Sequence, residues 1–167
     1  MPEIEKPTLL VVCDSHHCRF VDLGGHTMLF NGIIKSKENT YTDHEGRTMS
    51  PAAVGRGGMT SSNSTVDRAE DERLHEFSNA VSSHIDHLVQ LQGIQEVYLA
   101  APDKFLAELK KHVSKPTMKL ISKTIDGNFM HEHIHETLIR FRPDLADAIR
   151  KLKEDENYSE RKHLPSK

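Results

Sequence analysis

His131-Glu132-His133-Ile134-His135 satisfies the pattern H-E-x-x-H. On a helix, His131 and His135 share a face one turn apart and could hold zinc, with Glu132 polarising the metal-bound water. That chemistry needs a third ligand, for which Glu154 or Glu156 lies far enough downstream. Twelve histidines and fourteen glutamates among 167 residues give a chance match at about 7%, a real false-positive risk, and Pro143 cuts the helix short. A zinc-dependent hydrolase is therefore the alternative here, and no metal or other cofactor is favoured. Cys13, His16, His17 and Cys18 are metal-ligand types in a tight span, but no second half-site of matching spacing follows. The simpler expectation is a pair of reduced thiols, Cys13 ending a buried strand and Cys18 starting the next, with a metal site or a disulfide as the lesser alternatives. Asp14 stands where a sheet presents groups to a crevice. No carboxylate at the end of the strand closing in Ala100-Ala101-Pro102 joins it, so a magnesium-dependent nuclease is disfavoured.

A second constellation is electrostatic. Lys104, Lys110, Lys111, Lys115, Lys119 and Lys123 face a single acid, Glu108, between residues 104 and 123, a local charge of +5 in a chain whose net charge is −3. Such a run can hold several phosphates through salt-sensitive contacts, or it can be a solvated helix face beside a core stripe. A third feature is Gly55-Arg56-Gly57-Gly58-Met59-Thr60, permissive in backbone and carrying one cation. Backbone of this kind can approach another molecule closely, although flexible linkers share its composition.

The elements that must position these residues follow from periodicity. Thr8 to Cys13 is a short β-branched run and predicts a buried strand; Cys18 to Leu23 returns from a turn, and Gly24-Gly25 closes a hairpin corner. Thr27 to Ile34 gives a third strand with a bulge at Gly32. Residues 38–65 are rich in Gly and Ser and predict a flexible loop, the first place to look for function. Leu74, Phe77, Val81, Ile85 and Leu88 then form the stripe of a long helix, headed by Asp67, Glu70, Asp71 and Glu72 and ended by Gly93. A strand over 94–101, a helix opened by Pro102, a strand over 118–125, a helix over about 130–141 and another from Pro143 to about Lys153 complete the pattern.

Antiparallel meander followed by alternating helices and strands predicts an α/β fold: a mixed sheet of about five strands, flanked by helices, with the parallel part at 8–13, 94–101 and 118–125. The organisation expected is a single domain over 1–153 and a polar tail over 154–167. No glycine-rich phosphate loop joins a strand to a helix, so nucleotide binding has no support. No apolar run approaches the roughly 18 residues of a membrane span. Met1 to Pro7 lacks the basic start and apolar stretch of an export signal, so the expected location is the cytoplasm. The negative net charge excludes a general attraction to nucleic acid and leaves only local patches. Oligomeric state is not legible.

Leu9 to Asp14, the return strand Arg19-Phe20-Val21, the loop, the acid-headed helix and the block Val97 to Val113 together resemble the bacterial host attachment protein family, over roughly residues 8–142. The block Val97-Tyr98-Leu99-Ala100-Ala101-Pro102-Asp103-Lys104-Phe105 is its most specific part. That family is similar to the central domain of archaeal and eukaryotic class I release factors, which implies a ribonuclease-H-like fold. In those factors the loop before the long helix carries Gly-Gly-Gln and enters the peptidyl-transferase centre. Gly57-Gly58-Met59 stands in the comparable place here. Met59 has no amide to position water, so the resemblance implies a ribosome-facing role without peptidyl-tRNA hydrolysis. The family name implies adhesion, which a chain expected in the cytoplasm serves poorly.

The resulting expectation is a non-catalytic, release-factor-like domain that binds the ribosome or structured RNA. Its contacts would be Arg56, Gly57, Gly58 and Met59 of the loop and Lys104, Lys110, Lys111, Lys115 and Lys119 of the basic run. A protein-interaction module whose loop orders on a partner is the remaining alternative.

Overall fold

The computed structural model describes residues 3–37 and 63–151. It contains a five-stranded sheet in the order β3-β2-β1-β4-β5. The strands are β1 (Ile4–Cys13), β2 (His17–Gly25), β3 (Thr27–Lys35), β4 (Glu96–Ala101) and β5 (Ile121–Asp126). The helices are α1 (Asn63–Gln92), α2 (Asp103–His112), α3 (Lys115–Met118) and α4 (Ile134–Phe141), followed by a 3-10 turn at Pro143–Leu145 and helical residues 146–151. β1 pairs antiparallel with β2, and β2 with β3; β1 with β4 and β4 with β5 are parallel. This is the mixed sheet predicted from the pattern.

Its middle is explained by where β1 and β4 sit. Thr8 to Cys13 and Val97 to Ala101 are buried without interruption, because both faces of these strands are covered. Alternate side chains therefore serve different layers. Leu9, Val11, Phe20, Val97 and Leu99 pack under α1 and α2, against Phe77, Val81, Ile85, Phe105 and Leu109. Leu10, Val12, Val21, Tyr98 and Ala100 face Leu138, Phe141, Leu145 and Ile149 on the other side.

Several local features depart from the sequence expectations, each for an identifiable reason. α1 begins at Asn63, so residues 63–65 are helix rather than loop, and no acid lies in its first turn. The helix field fades within one turn, so Asp71 serves the packing of α1 on α2 instead, accepting from Lys104 Nζ at 2.9 Å. The strand expected from Met118 begins at Ile121 instead. Ser114 caps α3, its Oγ accepting from the Thr117 N–H at 3.4 Å, and Pro116 sits in the first turn, so Lys115–Met118 coils before the strand starts. The bulge predicted at Gly32 is present: Phe20 pairs with Gly32 and Val21 with Phe30, which leaves Asn31 extra. Gly127 follows β5 with φ 141°, and a Cβ there would stand 2.7 Å from the Phe129 ring, so only glycine fits.

The β1–β2 turn brings a correction. Cys13 and Cys18 are direct cross-strand partners and form a disulfide, both fully buried, rather than remaining separate thiols. Their loop is short, so the chain-entropy contribution is limited to about 2 kcal/mol. Asp14 works inside that turn, its Oδ1 accepting from the backbone N–H of His16 at 2.7 Å and of His17 at 2.6 Å. Burial pushes its carboxyl upward, but these N–H groups and the His17 ring outweigh it and hold the group below its ordinary value.

Phe77→Ala or Leu99→Ala is expected to cost about 2–5 kcal/mol in urea unfolding, because each empties a site sealed by the sheet. Leu91, 69% exposed, is the comparison: Leu91→Ala should change stability by less than about 0.5 kcal/mol.

Candidate functional site

Arg56, Gly57, Gly58 and Met59 lie outside the described residues. The lysine run is described, and it does not form one patch. At 100° per residue, Lys104 and Lys111 fall within about 20° of each other around α2, while Lys110 lies about 120° away. The buried stripe of Phe105, Leu106 and Leu109 runs between them. Lys104 and Lys111 turn toward α1 and are ion-paired, with Asp71 at 2.9 Å and Glu108 at 2.6 Å. Lys110, Lys115 and Lys119 are exposed and pair with no acid among the described residues. Lys123 belongs elsewhere: its Nζ donates to the Phe141 carbonyl at 2.6 Å and lies 5.4 Å from the Tyr98 ring centre, on the α4 side.

Helix packing places these lysines along α1. Asp71, near its start, meets Lys104; Asp86, farther along, accepts from the Ser114 hydroxyl at 2.8 Å and from its N–H at 3.2 Å. α3 therefore sits beside Asp86, about 35 Å along the helix from Asn63. The unpaired cations Lys110, Lys115 and Lys119 gather toward this end, whereas segment 38–62 joins α1 at the other.

The H-E-x-x-H segment is not a zinc-binding helix. α4 starts only at Ile134, and His133 is its cap, Nδ1 accepting from the His135 N–H at 3.3 Å. His131 sits in the preceding turn, off the helix. Glu132 is committed to Arg140, which donates to both its carboxylate oxygens at 3.0 and 2.6 Å. His131 and His135 thus share no helical face, and the hydrolase that would use His131, Glu132 and His135 is not built. The cap at His133 is the physical reason: it ends the non-helical backbone three residues later than the apolar pattern implies.

The structure instead brings together three residues that sequence reasoning missed. Glu108 and His112 stand four apart on α2, on one face. His75 of α1 meets them, its Nδ1 3.0 Å from Glu108 Oε1, while His112 Nε2 lies 3.3 Å from the same oxygen. Lys111 Nζ donates to the other oxygen, Oε2, at 2.6 Å. Beside them lies an open groove of about 460 Å³ lined by Asp71, Leu74, Lys104 and Ala107. The i, i+4 spacing of Glu108 and His112 was visible in the sequence; the α1 partner needed the packing angle of two helices.

Hydrogen bonds from Lys111 and His75 lower the Glu108 carboxyl to about 2; burial opposes them, and a weaker hydrogen bond from His112 adds to the lowering. Because the folded value lies below the ordinary 4.5, the stabilisation is present above pH 4.5 and disappears as pH falls toward 2. Thermal melts of wild type and Glu108→Gln should therefore differ at neutral pH, with the variant lower, and converge at pH about 2.

No curated protein sequence matches this chain. In fold it is similar to an archaeal translation termination factor, with a TM-score of 0.53 at 10% identity, covering 94% of this chain and 43% of that one. A translation termination-like factor of S. cerevisiae, involved in RNA quality control pathways, aligns with a TM-score of 0.46 at 10% identity over 87% of this chain and 36% of its own. The chain therefore spans less than half the length of either factor, and its likeness to the first is one of fold. A family model described as "Protein required for attachment to host cells" matches residues 9–140, and the chain belongs to that family.

Proposed function

We propose that this protein is a non-catalytic, release-factor-like domain that binds structured RNA of the ribosome in the bacterial cytoplasm. One observation carries the reading: 94% of the chain aligns with part of a protein that is itself a translation termination factor. The charge distribution supports it. Lys110, Lys115 and Lys119 are cations not neutralised by acids among the described residues, and they are exposed near one end of α1. Arg56 and the glycines up to Gly58 precede the other end in the chain. Lys104 and Lys111, being paired, contribute less.

In this reading the protein breaks no bond. Met59 offers a thioether where the release-factor loop offers an amide, and a thioether cannot orient an attacking water by donating a hydrogen bond. The family's link to host attachment would then act through protein synthesis, not through a surface contact made by this chain.

On a density gradient at low salt the protein should travel with ribosomes and be released as salt rises. Each lost phosphate contact lowers the log–log salt slope by about 0.7–0.9, so Lys110→Glu, Lys115→Glu and Lys119→Glu combined should flatten it by about 2–3. Recovery of the wild-type protein only in ribosome-free fractions at low salt would refute the proposal.

A further inference from the structure

We infer that His75, Glu108 and His112 form a binding site for one divalent transition-metal ion of the zinc type. One ligand atom from each residue lies within 4.8 Å of the other two. The two separations measured from Glu108 Oε1 are 3.0 Å to His75 Nδ1 and 3.3 Å to His112 Nε2. Metal bonds of about 2.0–2.1 Å arranged tetrahedrally place neighbouring ligand atoms about 3.3–3.4 Å apart. An ion can therefore replace the two hydrogen bonds with modest side-chain shifts.

The donor set selects the class of ion. Two imidazole nitrogens and one carboxylate oxygen suit zinc, cobalt or nickel, whereas calcium and magnesium require more oxygens. The surroundings hold the ligands in place. Lys111 grips Oε2 at 2.6 Å and so leaves Oε1 directed at the two rings, as the outer partners of metal-binding carboxylates do. Behind the cluster the Phe77 and Phe105 rings, 5.2 Å apart, fix α1 against α2. The His75 and His112 rings meet edge to face at 4.5 Å, so each turns a nitrogen toward the shared oxygen. Three protein ligands leave a fourth position, and the groove lined by Asp71 and Lys104 is where water or a small anion would complete it.

This site lies on α1 and α2, away from the α4 start, where the H-E-x-x-H pattern falls. It is independent of the ribosome reading and can fail or succeed separately. A metal here would tie the first half of α1 to α2 and raise the melting temperature through binding to the folded state.

The test uses untagged, chelator-treated full-length protein titrated with zinc chloride, followed by calorimetry and by the imidazole nitrogen resonances. The expected result is one equivalent bound, a higher melting temperature, and shifts confined to His75 and His112. His75→Ala or His112→Ala should weaken binding at least tenfold, while His131→Ala combined with His133→Ala should leave it unchanged. The resonance shifts are read on the wild-type protein, so they decide the matter even if a variant folds poorly. Absence of stoichiometric binding, or zinc shifts on His131 and His133 in place of His75 and His112, would overturn the inference.

Discussion

The structure depends on burying both faces of β1 and β4. These two strands carry side chains that alternate between two cores, so neither layer of helices can be lost without exposing the middle of the sheet. Burial of Leu9, Val11 and Leu99 under α1 and α2 fixes the angle at which those two helices meet. That angle in turn sets His75 against Glu108 and Asp86 against Ser114. On the opposite face Tyr98 stacks on Phe141, with the rings 5.2 Å apart, and thereby positions α4 and the turn that holds His131. Every candidate site on the described residues is thus downstream of one hydrophobic constraint.

Much of this was legible in the sequence. The β-branched run of Leu9 to Val12 and the stripe from Leu74 to Leu88 announce their elements because periodicity reports burial directly. What was lost depended on side chains competing locally with the pattern. Ser114 and Pro116 start a turn of helix inside an apparent strand, and His133 caps a helix that the apolar spacing would begin earlier. Neither effect alters the hydrophobic pattern, so a pattern-based reading passes over both. The disulfide was missed for a different reason. Composition argued for reduced cysteines, while the hairpin register, which makes Cys13 and Cys18 direct partners, is a tertiary fact.

The candidate site was less legible than the fold because charge counted along the chain is not charge arranged in space. Six lysines in a row of residues read as a patch, yet α2 turns two of them into ion pairs, and β5 sends Lys123 to the other face. The remaining three gather near α3, far along α1 from its first residue, Asn63. Conversely, the cluster of His75, Glu108 and His112 was only half visible: Glu108 and His112 share a helix face, but His75 lies 33 residues before Glu108 and reaches it only through the packing of two helices.

The central claim is that this family member faces the ribosome through the segment preceding α1 and performs no hydrolysis there. The most direct measurement places a photocrosslinking amino acid at position 59 and maps its adducts in cells. The account predicts adducts to large-subunit ribosomal RNA. Adducts confined to proteins outside the ribosome, with none on its RNA, would contradict it.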